Sequence, residues 1–134
     1  MLKLDPNESL TIPAQEFIAV CFCAEWCGAC REYQPAFEVL QSEFPDIAFV
    51  WVDVEDNVSW AGDFEVENFP TILIQRDESV LFYGVMLPHQ SHLRRMLEVF
   101  QAQSLEQSHE YAQGTDERRG WQERHNFREA LRSK

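Results

Sequence analysis

Residues 17–30 read FIAVCFCAEWCGAC, and this stretch decides the architecture. Phe17 to Ala24 is a continuous apolar run rich in β-formers, the pattern of a strand buried on both faces. It leads directly into Trp26–Cys27–Gly28–Ala29–Cys30. From Cys30 onward the apolar residues fall at helical steps, with Tyr33, Phe37, Leu40 and Phe44 on one stripe and Pro35 inside it. A strand therefore turns into a helix at the two cysteines. Backbone N–H groups left unpaired in the first helical turn, with the positive end of the helix dipole, favour a thiolate on Cys27. The thiolate is the nucleophilic form of cysteine. Cys30 follows three residues later on the same helical face, and Gly28, lacking a Cβ, leaves Cys27 open to an incoming group.

Downstream, Ile47 to Val54 reads as a second buried strand and Asn57 to Phe64 as a short helix or turn. Thr71 to Gln75 and Ser79 to Tyr83 read as a hairpin joined by Arg76–Asp77–Glu78. His92 to Gln103 is an amphipathic helix with Leu93, Met96, Leu97 and Phe100 on one face. Residues 1–16, with Pro6 and Pro13, are expected to be irregular to weakly structured. Strand–helix–strand implies a parallel pair, and the hairpin adds antiparallel strands, so the fold class is α/β: a small mixed sheet with helices on both faces.

The chain of 134 residues divides into a body, residues 1–103, and a polar extension, residues 104–134. The extension is read as helical or partly disordered, with Glu117 to Arg132 as a candidate helix carrying Trp121, Phe127 and Leu131. Two readings of it stay open: an extra packing element or loose tail, or a docking segment for a partner or for the body itself, anchored by Trp121. Net charge is −12, with 19 acids and five bases in residues 1–115 against four acids and six bases in residues 116–134. So acidic a body excludes phosphate-backbone binding as the main function. The longest apolar run is too short to span a membrane, and Asp5, Glu8 and Glu16 before it do not make a signal-peptide start. A cytoplasmic location is expected, where closely spaced cysteines are catalytic or metal-binding more often than structural.

All four cysteines, Cys21, Cys23, Cys27 and Cys30, fall within ten residues. A zinc or iron–sulfur knuckle would draw a second ligand pair from a distant segment, and the chain has none, so thiol–disulfide exchange is the preferred chemistry. Cys27 attacks a substrate disulfide, and Cys30 then attacks Cys27 to release the reduced substrate. On the buried strand, Cys21 and Cys23 are not expected to converge on both motif sulfurs. His89 and His92 lack a third ligand, and Glu55, Asp56, Asp63, Glu65 and Glu67 read as a solvated acidic face.

With these residues in view, the sequence resembles the thioredoxin family. AEWCGAC at 24–30 differs from the family's common AEWCGPC only at Ala29, and Pro35, Asp53, Phe69–Pro70–Thr71 and Gly84 follow in matching order over roughly residues 17–101. The resemblance implies the thioredoxin fold and a thiol–disulfide oxidoreductase with Cys27 as nucleophile and Cys30 as resolving cysteine. It places Trp26, Gly28, Ala29 and Cys21 as supporting residues, and Phe69, Pro70 and Gly84 at the substrate. It implies a cis bond before Pro70, although a trans proline merely opening a strand remains the alternative. No cofactor or metal is implied beyond a redox-active Cys27–Cys30 disulfide. The implied partners are disulfide-containing proteins and, as electron donor, a thioredoxin reductase or glutathione; no nucleic acid and no membrane are implied. Cys21 stands where the family has a buried aspartate that moves the resolving cysteine's proton. Since a thiol is a weaker proton acceptor near neutrality, resolution is expected to be slow. Cys21 is read as inert core, with an exchange partnership with Cys30 as the alternative. A second reading of the whole chain is a thioredoxin-fold adaptor or chaperone that binds a client through its extension, with secondary redox activity.

Overall fold

The computed structural model describes residues 2–4, 12–61, 64, 66–86 and 89–132. Chain order is β1 (Leu2–Lys3), β2 (Phe17–Cys23), α1 (Gly28–Glu43), β3 (Ile47–Asp53), α2 (Val58–Ala61), β4 (Thr71–Arg76), β5 (Ser79–Val85), α3 (Gln90–Gln101), α4 (Leu105–Ala112), α5 (Asp116–Arg124) and α6 (Phe127–Arg132). The five strands form one sheet in the order β1-β3-β2-β4-β5, which puts β2 in the middle. β1 and β2 pair parallel with β3, whereas β2–β4 and β4–β5 are antiparallel. The expected mixed sheet is therefore present. At the N-terminus, Leu2–Lys3 add a short edge strand in register with Val50 and Trp51, and Pro6 lies outside the described residues.

Every residue of β2 is buried, as its unbroken apolar run requires. Strand alternation sorts the core into two layers. Phe17, Ala19, Cys21 and Cys23 face Tyr33, Phe37 and Leu40 of α1 and Leu93, Leu97 and Phe100 of α3. Ile18, Val20 and Phe22 face Trp60 and Ala61 of α2, Phe64, and Phe127 and Leu131 of α6. α1 runs through Pro35 without ending. The hairpin turns on Asp77 and Glu78, with Asp77 at φ 48°, a left-handed value that aspartate tolerates better than most residues.

The extension is folded on to the sheet. The candidate helix Glu117 to Arg132 is in fact two helices, α5 and α6, broken at His125 and Asn126, with α4 ahead of them. Ser104 opens α4 through a capping box with Gln107, and Thr115 caps α5 by accepting from the Arg118 N–H. Trp121 packs edge-on against Phe82 of β5, with ring centroids 6.0 Å apart. The Gln122 amide accepts from the Val80 N–H at 2.7 Å and donates to the Val80 carbonyl at 2.8 Å, covering the outer edge of β5. Arg128 is buried and donates to the carbonyls of Pro13, Gln15, Glu16 and Asp77, which ties α6 to the entrance of β2 and to the hairpin turn. A buried guanidinium is tolerated because its donors are matched.

Candidate active site

The site lies where β2 gives way to α1. Cys27 is the N-cap of α1, with extended backbone angles (φ −82°, ψ 117°) and no side-chain capping bond. Its own N–H donates to the Ala24 carbonyl at 3.0 Å, fixing the turn Ala24–Cys27. The thiol is free and half-buried, packed at the margin of the α1 layer. Trp26 beside it is 66% exposed, and a Cβ at Gly28 would meet nothing within 4 Å. Ala29 is half-buried and Cys30 fully buried.

A second wall comes from the loop before β4. The Phe69–Pro70 peptide bond is cis, Pro70 is buried, and its carbonyl accepts from the Met86 N–H at 3.2 Å. Phe69 stands edge-on to Trp26. Gly84, opposite Ile72 on β5, has the Phe82 ring 3.3 Å from where a Cβ would lie, so it accommodates that ring rather than an open groove.

The expected Cys27–Cys30 disulfide is not the one present. Cys30 is bonded to Cys23, with Cα atoms 5.8 Å apart, and Cys27 carries a free thiol. The strand cysteines thus reach one motif sulfur, that of Cys30, and do not converge on both. A period of two puts Cys21 and Cys23 on the same face of β2, and α1 packs on that face. Cys21 Sγ lies 3.4 Å from Cys23 Sγ. Because Cys23 in a disulfide has no hydrogen, Cys21 is the donor of that contact. Burial, and secondarily the nearby Cys27, push the Cys21 thiol well above the ordinary cysteine range. The adjacent Tyr33 is raised for the same first reason, and its hydroxyl donates to the sulfur of Met86 at 3.5 Å. A cavity of about 480 Å3 opens beside the disulfide, with Lys3, Cys23, Cys30, Arg31, Asp53 and Asp56 among its walls.

Asp53 serves its own loop: its carboxylate accepts from the N–H groups of Glu55 and Asp56. Glu55, Asp56 and Glu67 are exposed, whereas Asp63 and Glu65 lie outside the described residues. The rings of His89 and His92 are 6.1 Å apart. Among the described residues no group of three or more His, Cys, Asp or Glu is placed to hold a metal ion, and no helix is long and apolar enough to cross a membrane.

The profile described as Thioredoxin matches residues 7–97, more than half of the chain. This chain belongs to the thioredoxin family. "Putative thioredoxin 2" of Streptomyces coelicolor is 34% identical over 76 residues, or 57% of each chain. A thioredoxin of Chlamydia pneumoniae is 29% identical over 98 residues, 72% of this chain and 96% of that relative. The X-ray structure of Fasciola hepatica thioredoxin superposes with a TM-score of 0.58 at 30% identity, covering 63% of this chain and 81% of that one. This chain thus spans little more than half the length of the Streptomyces relative but nearly all of the Chlamydia one. The family's match ends at residue 97, so helices α4 to α6 lie beyond it.

Proposed function

We propose that this thioredoxin-family protein is a thiol–disulfide oxidoreductase that reduces protein disulfides, with Cys27 as nucleophile and Cys30 as resolving cysteine. The observation that carries the reading is a free, half-buried thiol at the mouth of α1 with a buried cysteine one turn behind it. Cys27 attacks one sulfur of the substrate disulfide, forming a mixed disulfide and releasing the other substrate sulfur as a thiolate. With the Cys23–Cys30 bond reduced, Cys30 then attacks Cys27, the Cys27–Cys30 bond forms, and the second substrate sulfur leaves as a thiolate. The lip formed by Trp26, Phe69 and Pro70 supports docking of an extended peptide, with the Phe69 backbone as its hydrogen-bonding edge.

A reducing, cytoplasmic setting is the one in which a dithiol of this kind works as a reductant. The electron donor is then a thioredoxin reductase or glutathione. The adaptor reading loses its main support, because the extension that would bind a client has Phe127 and Leu131 buried against this chain's own sheet.

The decisive experiment uses Cys30→Ser with a disulfide-bonded protein such as insulin. The expected result is an accumulating mixed disulfide through Cys27. Failure of any covalent adduct to form at Cys27 overturns the assignment.

A further inference from the structure

The disulfide in the structure uses a sulfur that the two-cysteine cycle never touches. We propose that Cys23 is a third redox-active cysteine, to which the disulfide made between Cys27 and Cys30 is passed. The proposal rests on the reading of Cys27 and Cys30 as the working pair.

The step is an internal exchange. The Cys23 thiolate attacks Cys30 Sγ, the Cys23–Cys30 bond forms, the Cys27–Cys30 bond breaks, and Cys27 leaves as a thiolate. The proton given up by Cys23 is available to Cys27. No electrons enter or leave, so no added oxidant or reductant is needed.

Four observations support it. The Cα atoms of Cys23 and Cys30 are 5.8 Å apart, inside the range of about 4.4–6.8 Å in which two cysteines join without moving the backbone. Cys23 is held at that spot by the sheet, paired with Asp53 across β3 and accepting from the Val54 N–H at 2.9 Å. Cys21 adds a donor, since its S–H, 3.4 Å away, faces the buried Cys23 sulfur when that sulfur is charged or bonded. Finally, the cavity walled by Cys23, Cys30, Lys3 and Asp53 gives a proton leaving Cys23 a route that does not pass the Trp26–Phe69 lip.

The consequence is a self-gated cycle. Once the disulfide sits at Cys23–Cys30, Cys27 can still capture a substrate, but Cys30 is occupied and cannot release it. Return exchange, Cys27 thiolate on Cys30, restores the surface disulfide for the electron donor to reduce.

Sequence makes the test direct. Chymotrypsin cleaves after Phe22, Trp26 and Tyr33, which puts Cys21, Cys23 and the Cys27/Cys30 pair on three separate peptides. Fully reduced protein is oxidised with diamide, alkylated while native with iodoacetamide, unfolded, blocked with N-ethylmaleimide and digested. The expected product joins peptide 23–26 to peptide 27–33 and carries the iodoacetamide label on Cys27. A disulfide confined to peptide 27–33, with N-ethylmaleimide on Cys23, overturns the proposal. In oxidised Cys23→Ser, the iodoacetamide label on Cys27 is expected to disappear, because its disulfide with Cys30 has nowhere to go; a persisting label also overturns the proposal. Turnover of Cys27→Ser separates the two failures. If that variant is inactive and the 23–30 link never forms in the wild-type chain, the third-cysteine proposal alone falls; if the variant is fully active, the working-pair reading falls first.

Discussion

The Trp26 ring stands edge-on to that of Phe69, with centroids 5.7 Å apart at 83°, and joins the motif loop that carries Cys27 to the loop before β4. One wall comes from the sequence just before α1, the other from a segment more than forty residues later. Aromatic pairs of this geometry contribute about 0.5–1.5 kcal/mol beyond simple burial. Trp26→Ala is therefore expected to lower kcat/KM for a folded disulfide protein by about two- to tenfold. Its effect on a small disulfide reagent is expected to be weaker. Equal losses on both would show that Trp26 positions Cys27 rather than the substrate.

Phe127 is fully buried beneath β2, among Phe22, Trp60 and Phe64. Phe127→Ala is expected to destabilise the protein by about 3–5 kcal/mol, read as a lower urea midpoint, because the cavity it leaves is walled by a rigid sheet. A loss below about 1 kcal/mol would mean that α6 is a loose appendage.

His125 lies flat on Tyr83, with ring centroids 3.8 Å apart at 7°, and its Nδ1 has no hydrogen-bond partner among the described residues. Burial, with Arg124 adding to it, pulls its pKa down from 6.5 to about 4. Below pH 6.5 the unfolded chain takes up a proton that the folded state refuses, so stability falls as pH drops from about 6.5 to about 4. For a half-exposed ring the full shift is discounted to a loss of about 1–2 kcal/mol. His125→Phe keeps an aromatic ring on Tyr83 and removes the titration. Its stability is expected to be flatter across that window in urea titrations at several pH values. Parallel curves for the two proteins would exclude His125 as the cause.

Cys21 is a protonated, buried thiol where a carboxylate would be the better proton acceptor. Cys21→Asp is expected to speed protein-disulfide reduction near pH 7 while lowering stability by a few kcal/mol, about the cost of burying a polar group without a full set of partners. An unchanged rate in a variant that folds would discard the proton-acceptor argument.

Much of this was readable before any coordinate. The run Phe17 to Ala24 reads as a strand buried on both sides, and the spacing of Tyr33, Phe37, Leu40 and Phe44 reads as a helix following it. Other features depend on partners distant in sequence. Leu2–Lys3 is a strand only because Val50 and Trp51 lie beside it. Arg128 and Gln75 are buried by partners distant in sequence, four carbonyls around the first, and the Asn126 side chain and Phe127 N–H around the second. That is why a polar extension conceals an element of the core. The Cys23–Cys30 contact was half legible: alternation puts Cys21 and Cys23 on one face, but nothing local says that α1 chooses that face.

The most direct measurement is turnover of a protein disulfide by the wild-type chain and by Cys27→Ser, with dithiothreitol as donor and folding checked by urea titration. The expected result is that the folded variant falls to the rate of dithiothreitol alone. A folded Cys27→Ser protein that reduces the disulfide as fast as wild type would contradict the assignment of Cys27 as the sulfur that begins the reaction.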